Sequence, residues 1–121
     1  MKIHQIDPSR REEARAFLSF PFTLYRANRQ WVPSLEMDAK RMLDKKSHPF
    51  YAHSDGAFFM AEREGRWVGR LAVLDNRHYN EYNHENSAFF YLFECEDDSD
   101  AAMGLFTEGE AWAAGRQLTQ I

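Results

Sequence analysis

Residues Ala57–Asp98, AFFMAEREGRWVGRLAVLDNRHYNEYNHENSAFFYLFECEDD, decide how this chain folds. Two apolar runs, Ala57–Arg63 and Arg66–Leu74, flank Glu64-Gly65, a dipeptide suited to a hairpin turn. In the second run Trp67, Gly69, Leu71 and Val73 share one face, and Val68, Ala72 and Leu74 share the other. Both faces are therefore largely apolar, which predicts a central strand covered on two sides. Ser87–Phe93 is another continuous apolar run and is expected as a buried strand. The polar stretch Asp75–Asn86 between them reads as a loop.

Helical signals surround this core. Lys2–Ile6 has weak alternation and predicts a short first strand. Ser9 followed by Glu12 fits a capping box, with Pro8 beside it. Ala14, Phe17, Leu18, Phe22 and Tyr25 then form an apolar face. Pro21 interrupts it; a proline in a helix interior costs about 3 kcal/mol, so a kink or break is expected, with a short second piece through Tyr25. Ser34 is the expected N-cap of a helix to Asp44, with Leu35, Ala39, Met42 and Leu43 on one side and Lys45-Lys46 complementing its dipole. His48–Tyr51 and Ser54-Asp55-Gly56 read as turns. Ser99–Ala114 regains the helical period through Ala102, Leu105, Phe106 and Trp112, and Gly115 is a C-cap candidate. Leu118–Ile121 opens a further strand, whose backbone groups need a partner. The fold expected is α+β, one domain with a mostly antiparallel sheet flanked by helices.

Composition bounds the function. A chain of 121 residues is one domain by length. It is 44% apolar and 15% aromatic, too rich in core-forming residues for disorder. Fifteen basic against 19 acidic residues leave a net charge of −4, which gives no general attraction to nucleic acid or to an anionic membrane. No apolar run is long enough to span a bilayer, and the opening MKIHQID lacks the apolar region of a signal peptide. Cys95 is the only cysteine, which excludes an intrachain disulfide. These features predict a cytoplasmic protein with no nucleic-acid or membrane partner.

Several residues invite a chemical reading. His78, Glu81, His84 and Glu85 lie close together, but their spacing matches no established metal-ligand pattern, so no metal is expected and the stretch reads as a solvated connection. Its amide and aromatic residues are alternatively placed to line a substrate cleft. Glu94 and Glu96 alternate onto one face at a strand end, where a carboxylate can act as general base toward an amine if burial raises its pKa. Asp97, Asp98 and Asp100 precede or begin a helix and suit its positive end, each contributing about 0.3–1 kcal/mol when exposed. Cys95 sits among acids, which raise a thiol pKa and favour a structural role. Trp31, Phe50, Tyr51 and Trp67 are candidates for ligand contact, although aromatics in a small domain mostly serve the core.

With these pieces in order, the chain resembles the GNAT superfamily of acyl-CoA N-acyltransferases, and more narrowly the N-terminal third of longer bacterial GNAT-like proteins. The resemblance is carried by FPFTLYRANRQWVPSLEMD (Phe20–Asp38), HPFY (His48–Tyr51), FFMAEREGRWVGRLAVLDNRHYNE (Phe58–Glu81), FFYLFECEDD (Phe89–Asp98) and EAWAAGR (Glu110–Arg116). It implies a domain truncated as its fifth strand begins. It also implies acetyl-CoA as cofactor, lying between the fourth and fifth strands with its pyrophosphate held before the third helix by an R/Q-x-x-G-x-G/A loop. Glycines there let the backbone approach, and free N–H groups bind phosphate.

This chain has Glu96-Asp97-Asp98-Ser99-Asp100-Ala101-Ala102 at that place, with no glycine before Gly104 and no basic residue. Two like charges 4 Å apart repel by about 4 kcal/mol at an effective dielectric of 20, more than the roughly 2 kcal/mol a helix dipole offers at best. No cofactor-binding residue therefore carries over, although Phe89–Phe93 can still pair with a pantetheine arm through its backbone. Two functions are expected. One is an N-acetyltransferase with Glu94 or Glu96 as base, incomplete or inactive as this chain. The alternative is a GNAT-derived binding module that forms a homodimer by strand addition through Leu118–Ile121.

Overall fold

The structure is a computed structural model and describes residues 1–24 and 40–120. Four strands, β1 (Lys2–Ile6), β2 (Asp55–Arg63), β3 (Arg66–Asp75) and β4 (Phe89–Cys95), form one sheet in the order β1-β2-β3-β4. Every neighbouring pair is antiparallel. Helix α1 (Arg11–Leu24) covers one face and α3 (Ser99–Gly115) the other. Between them lie a short 3-10 helix, Pro49–Ala52, and helix α2 (Arg77–Asn83). The α+β architecture expected from the sequence is the one observed.

The β2–β3 hairpin turns at Glu64 (φ 52°) and Gly65 (φ 78°). Both are left-handed, as a two-residue turn matching strand twist requires. The sheet is apolar on both sides. Phe58, Met60 and Ala72 meet Phe17, Phe20 and Leu43 on the α1 side. Phe59, Leu71 and Val73 meet Ala101, Leu105 and Ala113 on the α3 side. Helix α3 centres its buried face on Ala101, Leu105, Gly109 and Ala113; of the face read from the sequence, Leu105 lies at that centre and Phe106 and Trp112 pack partly buried beside it. Small residues decide this choice. A Cβ at Gly109 would lie 2.8 Å from Val73 Cγ2, so the helix rests directly on the strand.

A bulge changes the faces of β3. Ala61 pairs with Gly69 but Glu62 pairs with Trp67, so Val68 has no opposite residue. Val68 joins the α3-side core, and Trp67 joins the α1 side, reversing their expected faces.

Helix α1 continues through Pro21 without the expected break. Proline lacks the N–H that would bond the carbonyl four residues back, which is that of Phe17. Buried Arg70 on β3 supplies the missing donor, its guanidinium lying 2.8 Å from the Phe17 carbonyl oxygen. The helix start also differs. Asp7 accepts from the Ser9 amide at 2.9 Å, and Glu13 reaches back to the Asp7 amide at 3.2 Å, in place of a Ser9–Glu12 box. Residues 40–42 are helical, in agreement with the end of the expected Ser34–Asp44 helix. The rest of that helix, its Ser34 cap, Tyr25 and Trp31 lie outside the described residues.

The stretch Asp75–Asn86, read as loop, contains α2. Asn76 caps it by accepting the Tyr79 amide at 3.1 Å, and left-handed His84 (φ 54°) ends it. Buried Asn80 then clamps the chain, accepting from the Ser87 amide and donating to the Ser87 carbonyl, both at 3.0 Å. No helix among the described residues is long and apolar enough to cross a membrane.

Candidate functional site at the β4 edge

β4 closes one side of the four-stranded sheet, so Ser87–Phe93 is not the buried strand its apolar run suggests. Phe90 is 56% exposed, and Phe89, Tyr91 and Phe93 are exposed as well. The strand is also bulged. Arg70 pairs with Glu94 and Ala72 with Tyr91, so Leu92 and Phe93 share the single opposite residue Leu71. Leu92 takes the left-handed conformation, φ 55°, which costs a bulky residue free energy and marks a bend that the surrounding packing enforces. The bulge divides the side chains. Phe90 and Phe93 turn toward α3, their rings 5.3 and 5.0 Å from that of Phe106. Glu94 turns toward α1 and Arg70.

On its outer side β4 receives the end of the chain. The Ala88 amide donates to the Gln120 carbonyl at 2.7 Å and the Thr119 amide to the Asn86 carbonyl at 2.7 Å, forming a parallel Ser87–Gln120 bridge. Gln117 is left-handed, φ 65°, and turns the chain out of α3 into this position. Leu118 is buried beneath it. Beyond that bridge, the outer edge from Phe89 to Cys95 pairs with no strand among the described residues.

The two candidate glutamates go to different arginines. Glu94 lies 3.9 Å from the Arg70 guanidinium, and Glu96 pairs with Arg66. Arg70 is fully buried and also stacks over the Phe17 ring at 5.0 Å. Glu94 is the more buried of the two, its side chain 20% exposed beside a fixed cation, whereas Glu96 is hydrogen-bonded to the exposed Arg66.

The turn from β4 into α3 tests whether a coenzyme diphosphate fits. Asp98 is the N-cap of α3 and accepts the Ala101 amide at 3.1 Å. Arg63 grips the same carboxylate through Nε at 2.7 Å and a second nitrogen at 3.2 Å. These bonds, that of Arg63 first, hold the Asp98 carboxyl below its ordinary pKa. The helix N-terminus and Arg63 are thus already joined to a carboxylate of the chain itself. The donor set does not fit acetyl-CoA in the way the resemblance implies. Cys95 lies just before this turn, half-buried, and burial followed by Asp98 and Glu96 pushes its thiol pKa up. That environment keeps the thiol protonated and disfavours nucleophilic chemistry.

Other polar groups lie elsewhere. Asp75 is 0% exposed at the end of β3 and accepts from Arg116 Nε at 2.8 Å, with Arg77 at 3.4 Å. His53 and His78 stack at 3.5 Å. Among the described residues no three histidine, cysteine, aspartate or glutamate side chains are grouped to hold a metal ion. Tyr51 donates to the Met42 carbonyl at 2.5 Å, and its hydroxyl pKa is raised by burial and by Asp55. Phe50 packs edge-on to Tyr51, and Trp67 edge-on to His4. A cleft of about 430 Å³ between Asp7–Ser9, α1 and Lys40–Lys46 contains neither glutamate.

Sequence reading found Glu94 and Glu96 but missed the arginines that hold them and Asp98. Arg63 is 35 residues from Asp98 and Arg70 lies 53 from Phe17, and no local pattern signals pairs so distant.

No family model matches the chain, and no solved structure does. Two curated proteins are similar to it. Protein YghO of Escherichia coli (strain K12) is 28% identical over 112 residues, covering 92% of this chain. The bacterial ceramide synthase of Caulobacter vibrioides (strain NA1000 / CB15N) is 30% identical over 108 residues, covering 88% of this chain. The chain spans 28% of the length of each of these relatives.

Proposed function

We propose that this chain is the N-terminal part of a GNAT-type N-acyltransferase fold, a unit serving the transfer of an acyl group to an amine. The observation that carries the reading is the bulged β4 edge. It follows a β1-α1-β2-β3 order, leads directly into α3, and receives the chain's next extended segment in parallel at Ser87–Gln120. Such an edge offers backbone hydrogen-bonding groups and apolar rings to an extended ligand. The similarity to a protein named ceramide synthase supports the same chemistry, because a ceramide is the amide of a long-chain amino alcohol. Glu94, held by Arg70 at that edge, is the carboxylate proposed to take the proton from the amine, with Glu96 the second candidate.

In this reading the 121-residue chain alone does not turn over acetyl-CoA, because the turn before α3 carries its own anion in place of a phosphate cradle. The test is release of free thiol from acetyl- and palmitoyl-thioesters in the presence of a long-chain amino alcohol. It is run on the chain and on a longer natural form that carries it. Amide formation by the longer form, lost with Glu94→Gln, supports the reading. Undiminished amide formation by Glu94→Gln and Glu96→Gln would remove both glutamates from it.

The alternative is a binding module that dimerises by strand addition. The exposed rings of Phe90 and Phe93 favour an apolar partner at this edge. Thr119 and Gln120 are already paired to β4 within one chain, so a second copy would have to add beyond them.

A further inference from the structure

We infer that the N-terminus of α3 is a self-occupied anion site: the Asp98 carboxylate, fixed by Arg63, stands where a phosphate would otherwise be bound and excludes a coenzyme diphosphate. The choice of ligand rests on the acyltransferase reading; the occupancy rests on geometry alone. Three donor nitrogens from two residues converge on one carboxylate. Arg63 closes on it with two nitrogens, at 2.7 and 3.2 Å, and the Ala101 amide donates to it at 3.1 Å. An arginine fork together with helix-end amides is the donor set that proteins aim at phosphate. Here both kinds of donor are directed at an aspartate. The Ala102 amide is spent as well, on the Asp98 carbonyl at 3.1 Å.

An incoming diphosphate would have to break the Arg63 fork, expel Asp98, and then sit beside the expelled charge and beside Asp97 and Asp100. Like charges at that range repel by more than the helix end returns. In an acyltransferase built on this chain, the diphosphate of an acyl donor is therefore bound away from α3, and the donor is recognised here without its nucleotide.

Removing the occupant should uncover the site. Asp98→Ser keeps a hydroxyl to cap α3 and leaves Arg63 facing the helix end without a competing charge. Titration calorimetry with inorganic pyrophosphate is the measurement, with circular dichroism confirming the fold. The expected result is no binding by the natural chain and at least a tenfold gain in affinity for Asp98→Ser, reversed when Arg63→Gln is added. Asp98→Asn, which keeps the cap with less change of shape, should gain in the same direction. The inference is overturned if the natural chain binds pyrophosphate as tightly as the folded Asp98→Ser variant, or if neither variant gains. Neither outcome depends on acyl transfer, so loss of this inference and loss of the acyltransferase reading are separate results.

Discussion

Arg70 donates to the Phe17 carbonyl at 2.8 Å across 53 residues, and Phe17 is the residue whose helical partner Pro21 cannot supply. A central-strand arginine thus completes the bonding of a helix on the facing layer. The same guanidinium meets Glu94 at the bulged edge, so the α1 side of the sheet and the candidate base share one buried cation.

Pro21→Ala should therefore fail to stabilise the protein. Relief of an interior proline ordinarily returns about 3 kcal/mol, but the carbonyl concerned already has a donor, and the buried ring would leave a gap in the core. Urea unfolding should show a neutral or lowered midpoint. A gain above about 2 kcal/mol would contradict the assignment. Arg70→Met, which strips Phe17 of its donor and Glu94 of its neighbouring cation, should cost about 3–5 kcal/mol, the usual loss when one member of a buried pair is removed.

Two glycines of α3 should respond oppositely to alanine. At Gly109 the new methyl would lie 2.8 Å from Val73 and 3.3 Å from Leu71, and overpacking of that kind costs about 1–3 kcal/mol. At Gly115 nothing lies within 4 Å, and the better helix former should add up to about 1 kcal/mol. Paired denaturation curves would check both signs.

Acid should weaken the β4–α3 turn. Asp98 has a folded pKa below its unfolded value of about 3.9, chiefly because of Arg63 and then the Ala101 amide. Its contribution is complete above that unfolded value and is lost as pH falls through the lower, folded one. Asp7 and Asp44 behave alike through Ser9 and Ser47. Asp98→Asn should then be less stable than the natural chain by a constant amount above about pH 5 and should converge on it in stronger acid. Parallel stability profiles from pH 2 to pH 7 would contradict the pairing.

Local signals made much of this fold legible. Glu64-Gly65 announced the hairpin because a left-handed pair fits it, and the aspartates Asp97, Asp98 and Asp100 announced the start of α3 because negative charge suits a helix's positive end. Two bulges defeated period-two reading. One exchanges the faces of Trp67 and Val68, and the other brings Phe90 and Phe93, three residues apart, to the same side. The exposure of Phe90 was hidden for a different reason: an apolar run reports hydrophobicity, not position within a sheet. Helix α2 carries no apolar period and is held by the Asn76 cap and the Asn80–Ser87 clamp, which only the folded chain displays. The candidate site followed the same division. Its carboxylates stood in one cluster, whereas Arg63, Arg66 and Arg70 reach them across the sheet.

Thermal unfolding of the 121-residue chain in rising acetyl-CoA tests the central proposal most directly, that of an acyltransferase-like sheet edge whose phosphate position is filled by its own aspartate. The account predicts no change in melting temperature at millimolar ligand. A saturable rise, approaching the roughly 2.7 kcal/mol that binding contributes at 100 times the dissociation constant, would contradict it.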